Sequence, residues 1–525
     1  MNGRRRKLIL GATAVALLVV LVVAGYSLTG RDLPLEYNSV KCLPRIRPDY
    51  SAIVIPPNIA PLNFSVAEPG VEYRVRIHGT GGEDILIASR TPSIIIPPRP
   101  WRELLDKNRG GRIGVDIYVQ GDDGRWSRFE SIENDVAREK IDSHLVYRLI
   151  GPLCNMYRNI GIYQRALENY DESPVLTNDS FGGCINCHSF VNNRPNVFAL
   201  QIRPQTGEKK VEPGMIVVRD GHAVRVNTQS KAAPKRSSYI AWHPSGSVIA
   251  FSMSTTRQVF HGAGAEFRDG YDNESHMAIM NVESGAVYAT PDIADPDRLQ
   301  NFPSWSADGK VLYYCSAKRL WGQNKPPPIE ALMKIKYDLM SVRYDIEKGA
   351  LSQPKMVLAA ADTGMSICEP RTSPDGRYLL FCMLNYGVFP LFQSSAELYL
   401  LELDSGKYRR LECNSQSSEA WHCWSSNSRW IVFSSNRDNP LLARPYFSYL
   451  DSRGRAHKPF VLPQKDPAFY DTWLKTYNVP ELVSGPITAT QQELLRAVDS
   501  SGAATDEPQK AGPPPQAAEG AYQNN

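Results

Sequence analysis

The chain has 525 residues, with 59 Lys and Arg against 55 Asp and Glu, which gives a formal net charge of +4 at pH 7. For this length the charge is small, so it gives no electrostatic reason to expect nucleic acid or an acidic polymer as a partner. Nine Cys are too few for a disulfide-dense secreted scaffold. No Gly-x-Ser-x-Gly elbow, His-Glu-x-x-His helix or phosphate-binding loop occurs, which argues against the hydrolase and nucleotide-binding classes that use them.

The N-terminus has the pattern of a membrane anchor. Basic residues at positions 4–7 precede an uncharged apolar run from Leu8 to about Gly25, and the next charged residue is Arg31. At about 1.5 Å per residue this run is just long enough to span a bilayer. The basic cluster should stay in the cytoplasm. We therefore expect residues 1–30 to be a cytoplasmic stub and a single-pass helix in the inner membrane, with the bulk of the chain periplasmic. A signal peptide cleaved near Ala24 is the alternative.

The next segment, residues 45–140, contains short stretches of alternating apolar and polar residues. They lie at 72–77, 93–96 and 114–119, with Pro and Gly between them. This pattern predicts a small β-sandwich, immunoglobulin-like in type.

Residues 184–188 read Cys-Ile-Asn-Cys-His, in a part of the chain expected outside the cytoplasm. In such a pattern the two thiols add to the vinyl groups of a porphyrin and the imidazole ligates its iron. The motif resembles the heme-attachment site of c-type cytochromes. The resemblance implies one covalent heme c per chain, held by Cys184 and Cys187, with His188 as the metal ligand.

The motif is also compatible in principle with a zinc half-site, a redox dithiol or a disulfide. A zinc half-site would need a second Cys or His pair at finger or ribbon spacing, and none follows. A thioredoxin-type dithiol would need a βαβ setting with a helix at the first Cys, whereas Gly182 and Gly183 precede it and strand-like sequence follows. A redox dithiol and an incidental disulfide stay open as alternatives.

Four later segments share one pattern of strand, tight turn and apolar strand, at 240–251, 303–314, 370–381 and 423–433. Repeats of this length with three or four strands each are typical of propeller blades. The aromatic-Ser-x-Asp-Gly cores resemble the WD40-like repeats of TolB-type β-propellers. The resemblance implies an all-β chain with a five- or six-bladed propeller over residues 141–480. The heme motif falls into the same register, at the start of an innermost strand near one mouth of the central channel.

The last part of the chain contains two further signals. Thr490 and Glu493 have the spacing of a capping box, and Leu494, Leu495 and Val498 share one face, which predicts a short helix. Residues 500–525 are rich in Ala, Gly, Pro and Gln and are expected to be disordered.

The sixth iron ligand has several candidates on the face that should carry the motif: His261, His276, Met277 and His422. His261 ranks first, because Arg257 nearby could pair with a heme propionate. His243 lies within a repeat core.

Together these patterns predict a membrane-anchored periplasmic monoheme c-type cytochrome with a TolB-like propeller, acting in electron transfer or redox sensing. Its partners would be the membrane, through the N-terminal helix, and a redox partner protein or envelope protein complex, with no nucleic acid. Two alternatives stay open. One is an envelope protein- or glycan-binding propeller in which heme is structural; the other is a heme peroxidase or reductase, which rests on analogy of fold alone.

Overall fold

The structure is a computed structural model that describes residues 32–151, 160–203, 213–260, 268–322, 325 and 327–500. The predicted membrane anchor, the predicted disordered tail after Ser500, and His261 lie outside these residues. Among the residues described, no helix is both long enough and apolar enough to span a bilayer. The fold is 46% strand and 8% helix, which confirms the predicted all-β class.

The chain divides into two compact units. Of the described residues, the first contains those up to 141 together with 167–171 and 457–473, and the second contains those within 142–166, 172–456 and 474–500.

The first unit has two sheets. Their strands are β1 (Asn38–Ser39), β2 (Ile46–Arg47), β3 (Val54–Ile55), β4 (Phe64–Val66), β5 (Glu72–Gly79), β6 (Ile85–Ser89), β7 (Ser93–Ile94), β8 (Arg112–Gln120), β9 (Trp126–Arg128) and β10 (Ile132–Val136). The larger sheet has the order β1-β9-β8-β10-β3, with β5 paired to β8 and β6 paired to β5, and the smaller sheet has the order β2-β4-β7. A helix at Pro98–Lys107 starts with Pro, a residue that the first turn of a helix accepts because no N–H is needed there. The helix buries Trp101, Leu104 and Leu105 on one face. Short helical and strand segments at Phe469–Thr472 and Phe460–Val461 (β34) also belong to this unit.

The second unit consists of six antiparallel sheets, numbered here in ring order. Sheet 1 contains β11 (His144–Ile150), β12 (Gly161–Ala166), β13 (Glu172–Thr177) and β35 (Thr476–Val483). Sheet 2 contains β14 (Cys184–Phe190), β15 (Val197–Arg203), β16 (Gly214–Arg219) and β17 (His222–Val226). Sheet 3 contains β18 (Ser237–Trp242), β19 (Val248–Phe260), β20 (Arg268–Asn281) and β21 (Val287–Tyr288).

The other three sheets follow the same scheme. Sheet 4 contains β22 (Arg298–Trp305), β23 (Val311–Lys318), β24 (Asp338–Asp345), β25 (Ala350–Leu351) and β26 (Lys355–Leu358). Sheet 5 contains β27 (Ser366–Thr372), β28 (Tyr378–Leu384), β29 (Glu397–Glu402) and β30 (Tyr408–Arg410). Sheet 6 contains β31 (Glu419–Trp424), β32 (Trp430–Ser435) and β33 (Arg444–Tyr449). Short helices lie at Asn178–Phe181, Ile329–Leu332, Ala360–Thr363, Pro390–Phe392 and Gln491–Asp499.

The six sheets form a closed ring. The inner strands β14, β18, β22, β27, β31 and β35 contact one another in that order, and β35 contacts β14. Strand β35 pairs with β11, so the C-terminal strand completes the sheet that begins the unit. This is the topology of a β-propeller, in which radial closure leaves only short, protected strand edges.

The repeated sequence cores explain the local structure of the ring. Each predicted turn places one residue in the left-handed region: Gly246, Gly309 and Gly376 at φ 75°, 74° and 72°, and Ser428 at φ 59°. Three of the four turns are preceded by a tryptophan, and sheet 5 has Thr372 at that position. Each tryptophan links neighbouring sheets, because its indole N–H donates to an inner-strand carbonyl of the preceding sheet. The pairs are Trp242 to Ser189 at 3.1 Å, Trp305 to Ala241 at 3.2 Å and Trp424 to Arg371 at 3.0 Å.

All six inner strands are interrupted by a bulge, where two residues face one residue of the partner strand. One residue from each bulge, aligned by register, forms a set that we call the bulge ring: Cys187, Tyr239, Phe302, Glu369, Trp421 and Val479. The rings of Tyr239 and Trp421 are 5.5 Å apart. They come from sheets 3 and 6, which are opposite each other, so this contact marks the axis of the propeller.

The structure confirms the predicted capping box. Thr490 Oγ1 accepts from the backbone N–H of Glu493, the Glu493 side chain accepts from the backbone N–H of Thr490, and the helix begins at Gln491. Strands β19 and β20 are longer than the other strands of their sheet and pair with each other as far as Phe260 and Arg268, with Thr256 facing Asp272. The β-branched residues of this segment favour the strand conformation.

Candidate functional site

The predicted heme motif forms the first part of β14, the inner strand of sheet 2. Gly182 ends the preceding short helix in the left-handed region, at φ 72°. A Cβ atom at Gly183 would lie 2.2 Å from the ring of Phe181 and 3.0 Å from the carbonyl oxygen of Arg203. Only glycine fits there, and this is why two glycines lead into Cys184.

The bulge of β14 separates the two cysteines. Ile185 pairs with Ile202 and His188 pairs with Leu200, so Asn186 and Cys187 both face one residue of β15. Cys187 thereby joins the bulge ring at the axis. The pKa of Tyr239, another member of that ring, is raised first by burial and second by the nearby Cys187 thiol.

Both thiols are buried and lie near two guanidinium groups. Cys184 and Cys187 are 7% and 5% exposed. Burial raises the pKa of each thiol, and Arg148 and Arg203 partly offset that rise. The buried Nε atoms of these two arginines have no hydrogen-bond partner among the described residues. The side of the motif that faces them is therefore electropositive and retains unused donors.

His188 is 2% exposed, and its ring packs edge-on against Phe190 with centroids 6.0 Å apart. Burial, followed by the charge of Arg148, lowers its pKa to about 3, although the carbonyl groups of Val146 and Val479 oppose the shift. Within the described part of the chain, neither ring nitrogen has a partner in hydrogen-bond geometry. A buried polar group without a partner is costly, so this imidazole has unused capacity to bind a ligand.

His422 is the structural counterpart of His188 in sheet 6. Each follows a bulge-ring residue, and each packs towards the second strand of the preceding sheet. His422 Nε2 lies 3.1 Å from the carbonyl oxygen of Leu380, and burial lowers its pKa to about 3. No cysteine occupies the positions equivalent to Cys184 and Cys187 in that strand. The protein therefore contains a buried histidine in the same setting without the thiols.

The donor chemistry of β14 fits a covalently attached heme. Two thiols lie in one strand with an imidazole that has no partner in hydrogen-bond geometry where the chain is described, and two guanidinium groups next to them are suited to pair with propionates. The packing, however, is close: the described cavities of about 310, 70 and 250 Å³ are not lined by Cys184, Cys187 or His188. A heme held by this strand would need space next to His188 that these three cavities do not provide.

Three of the sixth-ligand candidates, His276, Met277 and His422, lie within the described residues, and none of them has a hydrogen bond or ring contact with His188. Met277 is fully buried in the apolar core together with Ile279. His276 is half-buried, with its pKa lowered by burial and then by Lys235 and Arg319. His243 lies in the tight turn of its own repeat, where Nδ1 is 2.7 Å from the Ser245 hydroxyl and Nε2 is 3.0 Å from the Gly309 carbonyl oxygen. No hydrogen bond or ring contact between described residues joins His188 to any of these side chains or to His422.

Sequence reasoning missed several charged groups at the axis. Glu369, in the bulge ring, is 5% exposed. Two residues further on, Arg371 forms an ion pair of 2.9 Å with Glu481. The sequence alignment of the repeats could have indicated Arg371, because the equivalent positions of two other repeats have the small residues Ala241 and Ser304. Glu481 had no such signal, because β35 is not part of a sequence repeat.

Comparison with known proteins adds the following. No protein-family model and no curated protein matches the chain. Among solved structures, it is similar to an oligogalacturonate lyase from Vibrio parahaemolyticus at 13% identity and TM-score 0.33, over 74% of this chain and 100% of that one. It is also similar to the Dos1 propeller at 12% identity and TM-score 0.32, over 55% and 67%, and to a chain of a nidogen/laminin complex at 9% and 0.36, over 65% and 98%. The sheet topology itself defines the propeller fold.

Proposed function

We propose that this protein is a membrane-anchored periplasmic monoheme c-type cytochrome that acts in electron transfer or redox sensing. In this proposal a six-bladed propeller carries the heme and follows a small β-sandwich and the N-terminal anchor. The observation that supports it best is the donor set of β14, where two thiols precede an imidazole whose ring nitrogens have no partner in hydrogen-bond geometry among the described residues. When bound, a heme supplies one-electron chemistry at its iron.

The residues of the chain would have separate roles. Cys184 and Cys187 would hold the group through thioether bonds, and His188 would bind the iron. Arg148 and Arg203 would stabilise negatively charged propionates, since charge-assisted hydrogen bonds from a guanidinium are stronger than neutral ones. A site buried this deeply would exclude water, and its hydrogen bonds and dielectric would tune the potential. The expected partner is a redox protein or an envelope protein complex at the same membrane.

The experiment is to express the full chain in a host with heme-maturation machinery and to examine the purified protein by mass spectrometry and visible absorption. We expect a covalently added porphyrin mass on the peptide that contains residues 184–187. The double substitution Cys184→Ser and Cys187→Ser should remove this mass.

A matched pair of histidine substitutions then separates ligation from packing. His188→Ala should change the absorption bands of the iron while the covalent mass stays. His422→Ala removes an equally buried imidazole from the equivalent place in sheet 6, and should leave the bands unchanged. Absence of any porphyrin mass on the wild-type peptide would refute the proposal, and so would identical spectra of the two variants.

A further inference from the structure

A cavity of about 310 Å³ lies on the axis of the propeller. Each inner strand contributes to its wall the residue two positions after its bulge-ring residue, and we call these six residues the cavity ring: Ser189, Ala241, Ser304, Arg371, Cys423 and Glu481. The volume is within the range of small-molecule sites. Residues of the strand-connecting turns, among them Pro244, Ala307 and Pro374, also line the cavity, so it lies at the turn side of the bulge ring.

The lining of the cavity is polar, with one charge of each sign. Arg371 and Glu481 are the only charged residues among those that line it. They come from sheets 5 and 1, which are separated by sheet 6, so the ion pair reaches past Cys423 of β31. The hydroxyl groups of Ser189, Ser304 and Thr372 supply further hydrogen-bonding capacity, and Thr372 Oγ1 is buried without a partner in the described structure.

The guanidinium of Arg371 is only partly used. It donates to Glu481 Oε1 at 2.9 Å through Nη2, and no other side chain in the described ranges accepts from it. A guanidinium has five N–H donors, and a buried arginine normally satisfies most of them. The Arg371 side chain is nevertheless 33% exposed, whereas that of Glu481 is 5% exposed. Because Arg371 lines the cavity, its free donors are available to a ligand there.

We propose that the axial cavity binds a small organic carboxylate, whose carboxyl group pairs with the free edge of the Arg371 guanidinium and whose polar remainder contacts the serine hydroxyls. Glu481 holds the arginine in place and neutralises it when the cavity contains only water. Arginine is suited to this role, since its planar fork matches a carboxylate. The inference does not depend on heme, because no residue of the cavity ring belongs to the motif at Cys184, Cys187 and His188.

Titration of the full chain with glycerate, L-malate and citrate, against sodium chloride at matched ionic strength, tests the proposal. Tryptophan fluorescence is a suitable readout, because Trp242, Trp305 and Trp424 line the cavity. We expect a saturable change with at least one of the three acids, with a midpoint below about 10 mM. No response from any of them in the wild-type protein would overturn the proposal.

Charge substitutions should shift the affinity in opposite directions. Arg371→Met should weaken binding by about 10- to 100-fold, the usual loss for a hydrogen bond to a charged group, and Arg371→Lys should retain part of it. Glu481→Gln should strengthen binding, since it removes the carboxylate that competes for the guanidinium. Arg410→Met, which breaks a surface pair with Glu397 outside the cavity, is the matched control and should have no effect.

A purely structural ion pair predicts a different outcome. In that case Arg371→Met and Glu481→Gln would both lower the melting temperature, and neither would change a carboxylate titration. Equal weakening of binding by the two substitutions would also contradict the proposal, because a ligand that pairs with Arg371 competes with Glu481.

Discussion

Replacing Glu369 by Gln should stabilise the protein, and by an amount that depends on pH. Glu369 lies in the bulge ring with φ 55°, is 5% exposed, and accepts the backbone N–H of Trp421 at 2.6 Å through Oε2. Its Oε1 has no partner in the described part of the chain. Burial raises the pKa of this carboxyl from 4.5 to about 8, although the Trp421 N–H and the charge of Arg371 oppose the shift.

The sign and size of the effect follow from linkage. The pKa is higher in the folded state than in the unfolded state, so the contribution of Glu369 to stability is fully present below pH 4.5 and is lost as the pH rises to about 8. Each unit of pKa difference corresponds to about 1.4 kcal/mol. About 5 kcal/mol is therefore lost across the whole window, of which about 3 kcal/mol is already lost at pH 7. Glutamine has the same shape as the glutamate side chain and keeps an oxygen that accepts from the Trp421 backbone N–H, but it does not ionise.

The assay is urea unfolding of wild-type and Glu369→Gln protein at several pH values between 4 and 8.5, followed by tryptophan fluorescence. The difference in free energy of unfolding should be near zero at pH 4 and should favour the variant by about 3 kcal/mol at pH 7. Glu402→Gln, at an exposed position of β29, provides the baseline for changing one glutamate at the surface. A difference that does not vary with pH, or a wild-type protein that is more stable at pH 7, would refute the reasoning.

Stability should also depend on the buried His422 and on the N-terminal cap of the last described helix. His422 is buried with its pKa lowered from 6.5 to about 3, so its contribution to stability is fully present above pH 6.5 and is lost as the pH falls towards 3. Replacing His422 by Asn should therefore reduce the loss of unfolding free energy between pH 6.5 and 4.5 by about 2 kcal/mol; an unchanged pH profile in urea titrations would contradict this. Thr490→Ala removes the side chain that caps the helix Gln491–Asp499 and should cost about 0.5–2 kcal/mol in the same assay, whereas Thr490→Ser should cost little. Equal losses for Ala and Ser would exclude the cap as the cause.

Much of the fold could be predicted from the sequence, because the features that define it are local. The turn at Ser306, Ala307, Asp308 and Gly309 closes through bonds between near neighbours, such as Ser306 Oγ to Asp308 Oδ1 at 2.6 Å, together with a left-handed glycine. Four copies of that pattern were enough to predict the repeats. The capping box at Thr490 was predicted for the same reason, since both of its partners lie within one helical turn.

Closure of the ring and assembly of the axis were decided only by the tertiary structure. Strand β35 has no repeat pattern of its own, since no second strand follows it in the part of the chain up to Ser500 that is described, and it joins β11 across more than 300 residues of chain. The ion pair of Arg371 and Glu481 spans 110 residues, and the burial of Glu369 depends on strands from other sheets. The donors at Cys184, Cys187 and His188 were visible in the sequence. Their enclosure between sheets was not, because burial depends on which distant strands pack together, and short-range residue patterns do not determine that.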